Sequence, residues 1–201
     1  MSVLWFASQN ENKIKEIREM IPEMEIKSLN DFDRNLDIPE DEPTFEDNAL
    51  FKAKTFSNYV DGIVVADDSG LSVVELNNFP GIYSARWAKP ETNWDVINDM
   101  LLDKLMDNNL FNDEQRKAFF TSSLAFVDKE KNVEEIFTGV VDGVIMYSQM
   151  GNNGFAYDRI FKPDGYNKTF AEMTKEEKNN ISHRRLSITK LREYLKQNNY
   201  F

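Results

Sequence analysis

A chain of 201 residues, 41% hydrophobic and with 15 phenylalanines, can bury a substantial core as one large domain or two closely joined lobes. Its net charge of −11 speaks against a long nucleic acid as partner, because a polyphosphate needs an extended basic surface. The absence of cysteine excludes disulfides and thiolate metal sites and fits a cytoplasmic setting; no apolar stretch approaches the ~18 residues of a bilayer span, and the M-S-V-L-W-F start does not read as a secretory leader.

Residues 3–7 read as a strand, and residues 12–21 as a helix with Ile14, Ile17 and Ile21 on one face. Between them lie Ser8, Gln9, Asn10, Glu11, Asn12 and Lys13. Free N–H groups at a helix start, hydrogen-bonding side chains and one lysine make a phosphate cradle without Walker glycines, although a plain cap beside a solvated lysine is the commoner use of these residues. From Glu23 to Asp47, ten Asp/Glu accompany two Lys/Arg, whereas from Lys162 to Phe201 nine Lys/Arg accompany five Asp/Glu. Such asymmetry ordinarily means two solvated faces. Its sharper reading is a cleft with an acidic, metal-binding wall and a cationic wall for a small anion. In the acidic stretch, Glu40 and Glu42 both stand as carboxylates that could join Asp68 on a hard cation such as Mg²⁺.

Thr44 and Asp47 open a helix running to about Tyr59, with Ala49, Ala53, Phe56 and Val60 inward and with Asn48 and Lys52 on a shared face. The segment I-V-V-A-D-D-S-G-L, starting at Ile63, is the most informative of the chain. Its apolar run over residues 63–66 suits a central strand. Asp67 and Asp68 then fall where that strand should leave the core, on opposite faces of extended backbone, so the two divide their labour. Ser69 and Gly70 suit a tight turn, and a second strand is expected over 71–76 with Asn77-Asn78 turning after it. An ordinary turn closing a strand explains D-D-S-G equally well when the segment is taken alone.

Thr92 and Asp95 start a helix carrying Ile97, Leu101 and Leu105, and residues 118–127 and 133–141 read as antiparallel strands. Gly154, Phe155, Ala156, Tyr157 and Asp158 suit a base-binding loop, in which an aromatic face stacks and a carboxylate accepts from ring N–H groups; aromatic packing under a loop is the plainer alternative. Thr174 and Glu177 form a capping box near Lys178, and a last helix from about Ser182 to Gln197 buries Ile188, Leu191 and Leu195. His183, the single histidine, and Arg184 stand at its start, where arginine opposes the helix dipole and a nearby anion or carbonyl oxygen would account for it. The order of elements predicts an α/β fold, with a mixed sheet flanked by helices.

Together, A-S-Q-N-E-N-K, T-F-E-D-N-A-L-F-K-A, A-D-D-S-G-L, P-G-I-Y-S-A-R, G-F-A-Y-D and E-E-K-N-N-I-S-H-R closely resemble the Ham1/inosine triphosphatase family, in this order and over nearly the whole chain. The resemblance implies a pyrophosphatase of non-standard purine nucleoside triphosphates (ITP, dITP, XTP), with a long mixed sheet, two lobes around a central cleft, one domain over residues 1–201, and a homodimer. It implies that Ser8 to Lys13 and Lys52 grip the triphosphate, and that Asp68 is the catalytic base and shares Mg²⁺ with Glu40. Ser69 falls on a substrate contact, and Phe155, Ala156, Tyr157, Asp158, Lys178, His183 and Arg184 fall on the nucleobase pocket. Ala156 stands where the family commonly has glycine and Arg159 where it commonly has proline. A Maf-like pyrophosphatase for other modified nucleotides and a non-catalytic nucleotide-binding protein are the rival expectations; neither predicts pyrophosphate release from ITP.

Overall fold

A computed structural model describes residues 2–33, 36 and 38–201. Seven strands and six α-helices are present among them, the strands forming one mixed sheet in the order β2-β1-β3-β5-β6-β7 with β4 added to β3. These are β1 (Val3–Phe6), β2 (Glu25–Ser28), β3 (Ile63–Val73), β4 (Phe79–Pro80), β5 (Lys117–Asp128), β6 (Val133–Ile145) and β7 (Phe161–Pro163). The helices are α1 (Glu11–Met20), α2 (Leu29–Phe32), α3 (Phe45–Phe56), α4 (Trp94–Asp107), α5 (Lys175–Ile181) and α6 (His183–Gln197). No helix among the described residues is long and apolar enough to cross a membrane.

The chain forms two compact units. Unit 1 comprises residues 1–68, 122–139 and 186–201, and unit 2 comprises residues 69–121 and 140–185. In unit 1, β1 pairs in parallel with β2 and with β3. In unit 2, β4 and β7 run antiparallel to β3 and β6 respectively. The predicted helices are present with small shifts in their ends. Asn10 caps α1, accepting from the Asn12 and Lys13 amides, and Thr44 caps α3 by accepting from the Asp47 amide. Thr174 and Glu177 close the expected capping box of α5. Two short elements, β2 and α2, carried too few apolar residues to show a period.

The largest correction concerns D-D-S-G. It is not a turn: β3 runs unbroken through it and is buried over nearly its whole length. The separate second strand over 71–76 is therefore the end of β3 followed by a 3₁₀ turn at Val74–Leu76, while Asn77 and Asn78 do turn, both in the left-handed region. Gly70 is small for a reason other than backbone freedom. A Cβ there would lie 2.6 Å from the Gly81 carbonyl oxygen and closer still to Ser84 Oγ. That hydroxyl accepts from the Leu71 amide at 2.9 Å and donates to Gly81 O at 2.6 Å. Gly70→Ala should therefore destabilise the protein by about 2 kcal/mol, as overpacking does; an unchanged denaturant midpoint would contradict this account of the glycine.

Core residues of β3 establish which side each aspartate faces. Ile63 and Val65 pack with Ile14, Ile17, Ile188 and Leu191, the α1 and α6 side. Val64 and Ala66 pack with Ala49, Ala53 and Phe56, the α3 side. Alternation along a strand then sends Asp67 toward α1 and α6, and Asp68 toward α3.

Candidate active site

Unit 1 holds the residues expected around phosphates and metal. Lys13, on the first turn of α1, forms an ion pair with Asp67, whose side chain is wholly buried. The lysine is thus held, not solvated. Asp67 also accepts from Ser122 Oγ at 3.3 Å, and Ser122 is hydrogen-bonded to Ser187 of α6 at 2.9 Å. On the other side of β3, Asn48 Nδ2 donates to Asp68 Oδ2 at 3.0 Å. Lys52, one turn along α3, pairs with Glu40 and donates to the Asp67 carbonyl at 2.9 Å. Of the two glutamates left open by the sequence, Glu40 is the one that meets this cluster; Glu42 gives its backbone amide to Asn48 Oδ1.

The connection before α1 is partly self-satisfied. Ser8 Oγ accepts from the Asn10 amide, Glu11 accepts from Asn30, and Gln9 donates to the Leu36 carbonyl. Asn12 is exposed, as are Gln9, Asn10 and Glu11.

Asp68 carries the electrostatic signature of the site. Burial, then the nearby carboxylates of Glu40 and Asp67, raise its pKa from 3.8 to about 7 against the opposing pull of Lys52 and Lys13. Three carboxylates thus accompany two ammonium groups, a negative excess that a hard cation suits. Among the described residues no three His, Cys, Asp or Glu close into a metal cage. The donor set fits Mg²⁺ all the same, since that ion takes one or two carboxylates and keeps several waters.

Unit 2 holds the residues expected around a nucleobase. Lys178 Nζ donates to Asp158 Oδ2 at 2.6 Å, and the same oxygen accepts from the Phe155 amide at 2.8 Å. Gly154 is required beside it: its φ is +75°, and a Cβ would lie 2.9 Å from Asp158 Cγ. Lys178 Nζ and Arg184 Cζ both sit over the Phe155 ring, at 4.9 and 5.8 Å. Arg184 also reaches Ser69 Oγ at 3.3 Å. His183 stacks on Phe120, with centroids 4.7 Å apart and planes 8° from parallel. Tyr157 differs from its neighbours. It is 2% exposed, its hydroxyl donates to Ser84 O and accepts from Trp87 Nε1, and burial raises its pKa, so its ring belongs to the core.

Sequence reasoning missed Asp67 as the partner of Lys13, Asn48 as the donor to Asp68, and the roles of Ser122 and Phe120. Only the D-D pair and the 48/52 helical spacing signalled any of them; nothing local marks Ser122 or Phe120.

The sequence model of the Ham1 family matches residues 4–194. The chain belongs to the Ham1 family. Among Ham1 relatives, it is 42% identical over 201 residues to a protein of Clostridium tetani named dITP/XTP pyrophosphatase, covering 98% of this chain and 97% of that one. A protein of the same name from Clostridium perfringens is 44% identical over 199 residues, covering 94% and 95%. Solved Ham1 structures from Staphylococcus aureus and Coxiella burnetii superpose with TM-scores of 0.88 and 0.89, each at 34% identity over 98% of this chain and 100% of theirs.

Proposed function

We propose that this chain hydrolyses non-standard purine nucleoside triphosphates (ITP, dITP, XTP) between the α- and β-phosphates, releasing the monophosphate and pyrophosphate. It does so as one pyrophosphatase domain over residues 1–201, in the cytoplasm and as a homodimer, and so cleanses the nucleotide pool. The observation that carries the reading is a buried carboxylate held near neutrality, Asp68, beside two buried or half-buried lysines. The names of relatives 42–44% identical, dITP/XTP pyrophosphatases, support the substrate class.

In this reading Ser8, Gln9, Asn10, Glu11, Asn12 and Lys13 cradle the triphosphate with Lys52. Asp67 and Glu40 keep the two ammonium groups desolvated and aimed before substrate arrives, which is where such charges stabilise a transition state most. Asp68, buried at the end of the strand's apolar run and beside the lysine pair, takes the proton of the attacking water at a carboxylate oxygen. Glu40 and Asp68 are the carboxylates that would hold Mg²⁺, which when bound would supply positive charge to the phosphate oxygens and acidify the attacking water.

The base side discriminates by donors. Arg184 and His183 offer N–H groups to the 6-keto oxygen of inosine or xanthosine, while Phe155, Ala156, Asp158, Lys178 and Ser69 shape the surround. Adenine presents an amino donor at that position, leaving desolvated donors unpaired. Arg184→Ala should narrow the preference for ITP over ATP by about tenfold or more, the worth of one charged hydrogen bond. An unchanged ratio of kcat/KM values would count against the assignment. The reading as a whole is tested by a panel of ITP, dITP, XTP and the four common triphosphates, with pyrophosphate detected with and without Mg²⁺. Binding of ITP with no pyrophosphate released would defeat it.

A further inference from the structure

Helix α4 has not entered the functional account, yet it presents a polar face to the proposed base loop. Asp95, Asn98 and Asp99 lie three and four residues apart, on one side of the helix. Gln149 donates to the Asp95 carbonyl at 2.9 Å and to Asp99 Oδ1 at 2.8 Å. Arg159 donates to Asp95 Oδ1 at 2.5 Å and to the Gly151 carbonyl at 3.0 Å. Trp94 stands edge-on to Tyr157, with centroids 5.1 Å apart. The centre of this clasp is Asn98, fully buried, whose Nδ2 donates to the Ala156 carbonyl at 3.1 Å and, at a longer 3.4 Å, to Gln149 Oε1.

Two features make this bond more than packing. Ala156 is held at φ +54°, a left-handed conformation that a residue with a Cβ resists. Something must therefore hold it there, and the Asn98 bond lands on that residue's own carbonyl. Asn98 Oδ1 meanwhile has no hydrogen-bond partner among the described residues, although it is buried. A buried amide with an unpaired oxygen lowers stability, so its donor is the half that accounts for its presence.

We propose that Asn98 is a positioning residue for nucleobase recognition: by holding the Ala156 carbonyl it fixes the left-handed turn that sets Phe155 against Lys178 and Arg184. The inference rests on the base-side reading above. A leucine at position 98 keeps the branching of asparagine at Cγ, although it is larger, and removes both the donor and the unpaired acceptor; the split between KM and kcat, and the comparison in an Ala156→Gly background, then separate positioning from stability.

The test is steady-state kinetics with ITP and Mg²⁺, alongside thermal melting, on the wild type, Asn98→Leu, Ala156→Gly, the double variant and Arg184→Ala. Asn98→Leu should raise KM for ITP about tenfold with kcat within about twofold, even where the larger side chain lowers the melting temperature modestly. In the Ala156→Gly background the same substitution should raise KM by no more than about threefold, because glycine keeps a left-handed turn without the clasp. Equal effects in both backgrounds, an unchanged KM, or KM, kcat and melting temperature all failing together would overturn the proposal. Should Asn98→Leu not fold, Asn98→Ala carries the same comparison, and failure of both to fold assigns Asn98 to the core and ends the proposal. Arg184→Ala separates the two layers. If it too leaves ITP kinetics unchanged, the base-side reading fails; if it weakens ITP and Asn98→Leu does not, only the role of Asn98 falls.

Discussion

Asp68→Asn is expected to lower turnover by about 10²–10⁴-fold, the ordinary worth of a positioned general base, while making the metal-free protein more stable near neutral pH. The second half follows from the sign of the pKa shift. The Asp68 carboxyl titrates at about 7 in the folded chain and at 3.8 as a model carboxyl. Between those values the folded state keeps a proton that the unfolded state has lost, so wild-type stability falls as pH rises from about 4 to about 7 and stays low above it. Each pKa unit is worth about 1.4 kcal/mol, so ionising this buried group costs the fold up to about 4 kcal/mol. Asparagine keeps an oxygen for the Asn48 Nδ2 bond but has no charge to bury. Unfolding in the presence of a chelator should therefore show Asp68→Asn ahead by about 1–3 kcal/mol at pH values near 8, with the gap closing by about pH 4. Turnover near the wild-type rate removes Asp68 as the base. A stability gap that does not change with pH removes the account of its environment.

That combination, a residue costing stability and supplying chemistry, also explains what the sequence could and could not disclose. Helices were legible wherever a 3.6-residue apolar period met a cap: Thr44 before Ala49, Ala53 and Phe56, or Ile188, Leu191 and Leu195 in α6. The D-D-S-G stretch was misread as a turn because polar residues and glycine carry that signal locally. Their burial is settled by partners far along the chain. Asp67 is met by Lys13 and Ser122, 54 and 55 residues away, Asp68 by Asn48, 20 residues away, and Gly70 by the Ser84 hydroxyl. No local pattern announces such partners, and tertiary context overrides propensity in this way most often at functional sites. The expectation that the two adjacent aspartates face opposite sides did not depend on the turn, since it rested only on extended backbone, and Asp67 and Asp68 do meet different partners. In the base loop the aromatic residues were legible as a group but not individually. Phe155 lies beneath two cations, while Tyr157 is locked into the core by Ser84 and Trp87.

The second large effect is expected at Asp158. Its carboxylate and the Lys178 ammonium form a pair with side-chain exposures of 4% and 12%, so neither charge has much water to fall back on. Removing one member of such a pair costs about 3–5 kcal/mol, because the other is left buried and uncompensated. Asp158→Ala also deletes the acceptor of the Phe155 amide, freeing the segment that presents the Phe155 ring. Asp158→Ala should thus lower stability by roughly 3 kcal/mol and raise KM for ITP well above the wild-type value, with a smaller change in kcat. Lys178→Met separates these losses. Combined with Asp158→Ala it leaves no lone charge, and the methionine chain retains apolar packing near Phe155 and Phe170, whose rings lie 4.9 and 5.5 Å from the wild-type ammonium. The double variant should therefore regain most of the lost stability, a coupling of about 1–3 kcal/mol in a double-mutant cycle. It should not regain affinity for ITP, because the anchor of the Phe155 amide is still missing and a cation is gone. If stability and affinity return together, the pair serves the fold alone and nucleobase recognition must be sought elsewhere in the unit.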